Sequence, residues 1–264
     1  YYEWRDRPVS ATQRWRDELG DIIEVLFADS DGTYGYRRIH ADLQRAGRPC
    51  DPQTVRVLMA ERGLVACQPR PRGPRTTIPA ASGALPDLVN RDFTADEPGL
   101  KLVGDITYIP TWQGWVYLAT VLDCCTKKVV GYAMAEHMRT ELVVDALKMA
   151  IINGHTRHGE TIFHSDRGTQ YMSAEFAEFT RDAGIVRSVG RTGICYDNAW
   201  AESFNATLKV ERVHRTVYPT RRHAIGDIAR YIELRYNQRR LHSALQYRTP
   251  NEAEQDWYET NKAA

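Results

Sequence analysis

Three strand-like stretches follow one another between residues 101 and 135, and this run constrains the fold more than any other feature. KLVGDITYI, GWVYLATVLD and KKVVGYAMA are joined by short turns, which predicts an antiparallel meander. Helices are then predicted over 140–153, 173–183 and 197–209, with short strands over 161–164 and 185–189 between them. The order βββαβαβα predicts an α/β fold, a mixed sheet covered by helices.

The N-terminal region has helical rather than strand-like patterns. Helices are predicted over 14–28 and 36–46, and a third helix is predicted to begin at Asp51 as the cap, with Pro52 at its first position. The second and third helices are separated by GRPC, which resembles a helix-turn-helix. Candidate DNA contacts on these helices are Arg37, Arg38 and Arg56. The alternative is a small helical bundle with a charged surface.

Four segments follow from these patterns. Residues 1–66 are predicted to be a small all-α, helix-turn-helix-like domain, and residues 67–90, rich in Pro, Gly, Arg and Thr, a linker. Residues 91–215 are predicted to be the α/β core. Residues 216–264 are predicted to be a basic helical extension of that core, with one helix over Tyr218–Arg239.

Charge is distributed unevenly although the net charge is only +1. Residues 34–76 carry nine Arg and three acids, and residues 205–250 carry ten Lys or Arg and three acids. Residues 87–204 between them carry eleven Lys or Arg and sixteen acids. Basic arms on both sides of an acidic centre suggest a polyanionic partner; alternatively, each charge block is a solvated face.

Three acids in the central region are candidate metal ligands. Asp105 lies in the first strand, Asp166 directly follows the fourth, and Glu202 follows Asp166 with thirty-five residues between them. The first and fourth strands are plausible neighbours in such a sheet, so the two aspartates are expected to lie close together. Hard oxygen ligands suit Mg²⁺, and two ions about 4 Å apart can promote in-line displacement at phosphorus. Taken singly, an acid of this kind is usually a cap, a turn or a surface group.

The face of Glu202 is predicted from helical periodicity. Trp200, Phe204 and Leu208 repeat at intervals of four and are predicted to be buried. Glu202 is expected to point away from that stripe. The other polar residues expected on its face are Asn198, Asn205 and Lys209. These three side chains, together with Arg167 beside Asp166, are candidate DNA contacts.

Other polar residues have simpler interpretations. Asp123 ends the second strand and is expected to have a structural role as a cap or turn, although a fourth ligand is possible. His164 is a candidate for orienting Asp166 or a water, whereas His155 and His158 are expected to be loop residues. Five cysteines without a CxxC pattern indicate a reducing cytosol. No stretch approaches the ~20 apolar residues of a membrane span. Because the chain begins at Tyr1 without Met, we expect a further N-terminal region.

Five stretches together resemble the DDE transposase/retroviral integrase superfamily, whose catalytic core is ribonuclease H-like. They are YGYRRIHADLQRAG, GDITYIPTWQGWVYLATVLDCCTKKVVGYAM, FHSDRGTQYMSAEF, SVGRTGICYDNAWAESFNATLKVE and YNQRRLHSALQYRTPNEA. More narrowly, the chain resembles an OrfB-type transposase of the bacterial insertion-sequence family three. The stretches cover most of residues 34–254.

The resemblance implies a catalytic triad of Asp105, Asp166 and Glu202 that binds Mg²⁺ or Mn²⁺, with two ions expected. It implies strand cleavage at element ends and transfer of the 3′-hydroxyl to new DNA. It also implies a homo-oligomer, at least a dimer, on DNA in the bacterial cytoplasm and nucleoid. An upstream end-recognising region supplied by frameshift fusion is expected, and the zinc-binding domain of retroviral integrases is absent.

Two other functions remain open from the sequence. A ribonuclease H-like nuclease would only hydrolyse the strand, but the basic flanking regions argue against a simple nuclease. A non-catalytic DNA-binding regulator would not need all three acids. Joined rather than merely cleaved products, and metal-dependent cleavage, would distinguish the transposase from these two alternatives.

Overall fold

The computed structural model describes residues 8–68, 85–190 and 198–262, and the chain divides into two units, Tyr1–Arg70 and Pro71–Ala264. Most of the predicted linker, and Asp197 at the start of the helix predicted over 197–209, lie outside the described residues. None of the described helices is both long enough and apolar enough to cross a lipid bilayer.

The first unit contains three mutually contacting helices, α1 (Ala11–Asp29), α2 (Tyr36–Arg45) and α3 (Pro52–Glu61). The Asp51 side chain accepts hydrogen bonds from the backbone N–H groups of Gln53 and Thr54, so the predicted cap is confirmed. Gly47 and Gly63 follow α2 and α3 with φ of 70° and 66°, which is the left-handed conformation that ends many helices. The buried apolar side chains described in this unit are Leu19, Ile23, Tyr34, Ile39, Ala41, Leu43, Val55, Leu58 and Met59.

The second unit is built on a five-stranded sheet with the order β3-β2-β1-β4-β5. The strands are β1 (Lys101–Thr111), β2 (Gly114–Asp123), β3 (Val129–Ala135), β4 (Ile162–Ser165) and β5 (Val186–Val189). β1, β2 and β3 are antiparallel, whereas β4 and β5 run parallel to β1. The predicted meander, the mixed sheet and the neighbouring first and fourth strands are therefore confirmed.

Helices cover both faces of this sheet. α4 (Thr140–Ile152) and α5 (Ala174–Asp182) pack on one face. α6 (Ala199–Glu211) and α7 (Arg221–Arg230) pack on the other, where their apolar side chains meet those of β1 and β2. Alternation along β1 separates the two faces, since Val103 and Ile109 join the α6 side and Leu102 joins the α4 side.

The C-terminal part differs from its prediction. The helix predicted to begin at Tyr218 starts three residues later, because the Thr220 hydroxyl accepts a hydrogen bond from the His223 N–H and caps α7. It continues as a π-helical segment, Tyr231–Asn237. A further helix, α8 (Pro250–Lys262), was not predicted. The TPNE sequence before it forms a reciprocal capping box between Thr249 and Glu252, a signal that was available in the sequence.

Candidate active site

Asp105 and Asp166 lie at the same level of two adjacent parallel strands. Val103 of β1 pairs with His164 of β4, and each aspartate is two residues further along its chain. Parallel neighbours lie about 4.8 Å apart, and residues two apart share a face. The register therefore brings the two carboxylates together on the face of the sheet that α6 covers.

The backbone around Asp105 is built for close packing. Gly104 precedes it, and a Cβ atom there would lie 2.3 Å from Cζ of Phe163, so only glycine lets β1 approach that ring. The Asp105 carboxylate accepts a hydrogen bond from the N–H of Ile106 at 2.9 Å. Asp166 in turn accepts the N–H of Gly168 at 2.9 Å, which fixes the turn after β4.

Helix α6 is joined to β1 by two asparagines. Asn205 Nδ2 donates to Asp105 Oδ2 at 2.8 Å, and Asn198 Nδ2 donates to the Gly104 carbonyl at 3.1 Å. Both asparagines are buried, whereas Glu202 is exposed. The predicted placement of both amides on a stripe opposite the buried face is therefore wrong, because β1 supplies polar partners inside the interface. Phe204 and Leu208 are buried as predicted, and Trp200 is only half-buried.

Glu202 lies in the first turn of α6 and acts electrostatically on Asp105. Its charge is one of those that raise the pKa of Asp105, after burial and the charge of Asp166. Among the described residues, however, no three acidic, histidine or cysteine side chains are close enough to hold one metal ion as they stand. The structure thus brings the two aspartates together and places Glu202 nearby without a closed ligand set.

The electrostatics of this cluster favour a cation. Burial, followed by the charge of Asp166, raises the pKa of Asp105 to about 7, although the bonds from Ile106 and Asn205 oppose that rise. Loss of hydration also raises the pKa of Asp166. Burial lowers the pKa of Lys209, and the Asp105 charge partly offsets that effect. Two carboxyl groups that are costly to ionise side by side are a common arrangement at functional sites.

Several buried oxygen atoms around Asp105 have no hydrogen-bond partner within the described part of the chain. They are Oδ1 of Asn198, Oδ1 of Asn205 and Oγ1 of Thr120. Thr120 is the cross-strand partner of Asp105 on β2, so its hydroxyl lies on the same face. Unpartnered buried oxygens are costly, and together with the carboxylates they form a donor set suited to a hydrated divalent cation.

The neighbouring polar residues have structural contacts. Asp123 is buried and accepts hydrogen bonds from Gly99, Cys125 and Thr126, which supports the predicted turn role. His164 Nδ1 pairs with the Ser188 hydroxyl at 2.8 Å. Burial is the main cause of the raised pKa of Asp166, and the charge of His164 partly offsets that rise.

The other predicted contacts lie in loops or on helix surfaces. His155 and His158 lie in the loop after α4, as predicted, and His155 contacts Glu254 of α8. The guanidinium of Arg167 donates to the carbonyls of Gly190 and Leu85, so at least two of its donors hold the loop. On α2, Arg37 is exposed and Arg38 stacks 5.4 Å from the Tyr34 ring centroid. Arg56 is exposed on α3.

Two features of the site escaped the sequence analysis. Tyr171 is buried between the site and the α4 face, where burial and the charges of Asp105 and Asp166 raise the pKa of its hydroxyl. Glu211, the last residue of α6, forms a buried ion pair with Arg240. Neither position carries a periodic signal, since Asp105 and Arg240 lie 66 and 29 residues away from Tyr171 and Glu211.

Known families match nearly all of the chain. An integrase core domain model matches residues 95–195, a second integrase core domain model matches residues 183–250, and an HTH-like domain model matches residues 14–72. The transposase for insertion sequence element IS904 of Lactococcus lactis is 37% identical over 94% of this chain and 98% of its own. The transposase for element IS629 of Shigella sonnei is 36% identical over 94% of this chain and 83% of its own. Transposase InsF for insertion sequence IS3A of Escherichia coli is 34% identical over 92% and 85%.

Solved structures are similar at lower identity. A simian T-cell lymphotropic virus intasome in complex with PP2A regulatory subunit B56 gamma is 16% identical, with a TM-score of 0.48 over 81% of this chain and 70% of that one. The HTLV-2 integrase catalytic core domain in complex with magnesium, in a dimeric form, is 18% identical, with a TM-score of 0.45 over 60% of this chain and 97% of that one.

Proposed function

Because the chain belongs to the insertion-sequence transposases with an integrase core domain, we propose that it cleaves DNA strands at element ends and joins the freed 3′-hydroxyl to target DNA. The observation that carries this proposal is the alignment of Asp105 and Asp166 on adjacent parallel strands. The Glu202 helix is joined to that pair through the hydrogen bond from Asn205 to Asp105.

The proposed metal ligands are Asp105, Asp166 and Glu202, and the ions are two Mg²⁺ or Mn²⁺. When bound, such ions activate an attacking oxygen and stabilise a leaving oxygen at phosphorus. The fit of such ions rests on two observations. Burial opposes the ionisation of the Asp105 carboxyl beside Asp166, and buried oxygens without a hydrogen-bond partner among the described residues lie nearby. Because no three of these groups lie within reach of one ion, we infer that Glu202 approaches the aspartates on binding.

Other side chains of the site orient the Asp105 carboxylate or supply positive charge for a phosphate. Asn205 holds one oxygen of Asp105, which leaves the other oxygen with the Ile106 N–H. Lys209 is half-buried beside Asp105 and is positioned to contact a phosphate near the acids. Asn198 and Asn205 use their amide nitrogens within the chain, so any DNA contact of theirs would be through their oxygens and a bridging water or ion.

DNA binding is proposed to involve the first unit as well. Arg37, Arg38 and Arg56 lie on two successive helices of the region that matches the HTH-like domain. Such cations bind phosphates without reading sequence. Arg167, which directly follows Asp166, is likewise proposed to contact the DNA backbone.

Assembly and end recognition are further parts of the proposal. We expect at least a dimer on DNA, with an end-recognising region supplied upstream by frameshift fusion, in the bacterial cytoplasm and nucleoid. Sedimentation of the protein with end-containing DNA measures how many chains bind each pair of DNA ends. A ratio of one chain per DNA end pair would contradict it.

The test is a strand-transfer assay on labelled element ends with Mg²⁺. Asp166→Ala and Glu202→Gln proteins should yield neither cleaved nor joined product. Glu178→Gln, which alters an exposed acid on α5, is the matched control and should retain activity. Wild-type activity in the Asp166→Ala protein would overturn the site, and cleavage without any joining by the unaltered chain would identify a nuclease instead.

A further inference from the structure

The far end of the β1–β2 hairpin exposes three large aromatic side chains. Tyr108, Trp112 and Trp115 are 53%, 77% and 48% exposed. Tyr108 and Trp115 form an edge-to-face pair with ring centroids 4.9 Å apart. Exposed aromatic clusters of this kind mark binding surfaces more often than single exposed apolar residues do. We refer to Tyr108 and Trp115 as the aromatic pair.

The aromatic pair lies three residues along β1 from Asp105 and on the opposite face of the sheet, because alternation puts Asp105 with Val103 on the α6 side. Pro110 pairs with Trp115 across the hairpin, so Tyr108 and Trp115 are diagonal neighbours on one face of the sheet. β4 pairs only with residues 101–103 of β1, and the edge of β1 beyond them is not paired with any described strand. This edge leads from Asp105 to Tyr108, a span of three residues or about 10 Å.

Lys209 lies close to both Tyr108 and Asp105. Its Nζ lies 4.6 Å from the centroid of the Tyr108 ring, and the charge of Asp105 acts on its pKa. A cation over an aromatic face near a carboxylate cluster suits a chain of phosphates and bases that passes along this edge.

The hairpin is held in place before any ligand arrives. Trp112 N–H donates to the Tyr218 carbonyl at 3.1 Å. Arg221 N–H donates to Gln113 Oε1 at 3.0 Å, Arg221 Nε donates to the Trp115 carbonyl at 3.3 Å, and its guanidinium pairs with Glu136 at 2.8 Å. These contacts fix the turn and the backbone of Trp115, so the exposed rings lose little freedom when they bind.

We propose that the aromatic pair stacks an unpaired nucleobase of the DNA strand whose phosphate lies at Asp105. With ~3.4 Å per nucleotide along a stacked strand, about 10 Å places that base roughly three nucleotides from the reacting phosphate. Lys209 contacts the phosphate between them. The inference rests on the proposed DNA-joining function and adds a base-binding site to it.

A nucleobase fits this surface better than a second copy of the chain does. A stable interface between copies buries about 800 Å² on each partner around an apolar centre. Here the two rings are flanked by the cation Lys209, by Arg221 in its ion pair with Glu136, and by the polar turn residue Gln113. Cations beside exposed rings complement the phosphates and the π-faces of a single strand.

The test measures binding without divalent metal, so it does not depend on joining. DNA ends carry a three-nucleotide unpaired tail with 2-aminopurine at each tail position in turn, and stacking quenches the fluorescence of that base. The unaltered protein should quench one position near the third nucleotide. Tyr108→Ala and Trp115→Ala should lose the quenching and bind the tailed DNA about 5- to 150-fold more weakly, the range expected for one stacked base.

Matched variants and substrates separate stacking from other effects. Tyr108→Phe and Trp115→Phe keep a ring and should keep most of the binding, and Trp112→Ala is the control for an exposed tryptophan in the same hairpin. An abasic nucleotide at the quenched position should remove the difference between the unaltered protein and the alanine variants. Circular dichroism verifies that each variant is folded.

The outcomes are distinguishable from failure of the joining function. If the unaltered protein quenches the 2-aminopurine fluorescence and the alanine variants do not, the base-binding site is supported even for a protein that joins no DNA. Equal binding by the unaltered and alanine proteins would overturn the base site, whatever the joining assay shows. A Trp112→Ala loss as large as that of Trp115→Ala, or a change of oligomeric state in Trp115→Ala, would also overturn it, because both indicate an apolar contact between chains.

Discussion

The buried ion pair between Glu211 and Arg240 gives the sharpest stability prediction. Arg240 donates from Nε to both carboxylate oxygens of Glu211 at 3.0 Å and from Nη2 at 2.8 Å. Tyr231 adds a hydrogen bond to the same carboxylate at 2.8 Å. Glu211 and Arg240 are 5% and 6% exposed. Glu211→Gln keeps the shape but leaves the guanidinium buried without a counter-charge.

Removing one partner of a buried pair costs about 3–5 kcal/mol. For a unit of this size, each kcal/mol lowers the unfolding midpoint by about 2–4 °C, so we expect a fall of about 6–20 °C in Glu211→Gln. The matched control is Glu178→Gln, whose partner Arg181 is exposed; exposed pairs contribute about 0–1 kcal/mol. Thermal and urea unfolding followed by circular dichroism measure both variants.

A double-mutant cycle sharpens the test. Arg240→Met in the Glu211→Gln background removes the uncompensated charge, so the second change should cost less than it does alone. Burial alone would lower the folded-state pKa of Arg240, but Glu211 raises it above its usual value, so the titration of Arg240 does not weaken the pair at any pH below the unfolded pKa of the guanidinium. The cost of Glu211→Gln should not depend on pH between about 6 and 9. A loss below about 1 kcal/mol, or additive effects in the cycle, would refute the reasoning.

Three further predictions concern Asp227, Asn205 and the arginines of the first unit. Burial of Asp227 alone would raise its pKa, but hydrogen bonds from Arg212 and Tyr218 hold that pKa below its usual value. The stability lost in Asp227→Asn should therefore be full above about pH 5 and shrink as the pH falls through the folded-state pKa. A loss that stays the same as urea unfolding is taken to acid pH would contradict this. Asn205→Ala removes a bond that lowers the pKa of Asp105, so carbon-13 NMR should find that pKa above the value in the unaltered protein, whereas an unchanged titration would exclude the contact. Replacing Arg37, Arg38 and Arg56 by alanine should reduce the slope of log affinity against log salt by about 0.9 for each phosphate that these side chains neutralise, and an unchanged slope would place the DNA elsewhere.

Local patterns predicted most of the elements because their signals lie within a few residues. Asp51, with Pro52 after it, is a cap whose side chain accepts the expected N–H bonds, and Ser173 caps α5 in the same way at the start of the helix predicted over 173–183. β2 has the predicted limits because Gly114 and Asp123 carry the turns on either side. The order of strands was sufficient to bring β1 beside β4. The metal ligands themselves stay predictions, since the structure aligns two acids and leaves the third nearby.

The asparagines show where local reasoning fails. A helical wheel treats an amide as a surface group, whereas Asn205 is buried because Asp105, 100 residues away, accepts its N–H. Likewise α8 joins the sheet through Glu254, whose carboxylate meets Lys128 at 2.6 Å and His155 at 3.3 Å. Partners so far apart leave no periodic trace in either segment, so burial of these polar groups follows only from the tertiary structure.

The position of Glu202 depends on contacts at both ends of α6. At one end Asn198 and Asn205 bond to β1; at the other, Glu211 pairs with Arg240, and the adjoining Arg212 pairs with Asp227. A helix fixed at both ends can rotate or slide only if one set of bonds breaks. The approach of Glu202 proposed for metal binding must therefore come from its side chain or from the first turn, where the Glu202 carboxylate is exposed. It follows that the basic C-terminal segment, which contributes Arg240 and Asp227, belongs to the architecture that positions Glu202 as well as to the basic flank of the acidic centre.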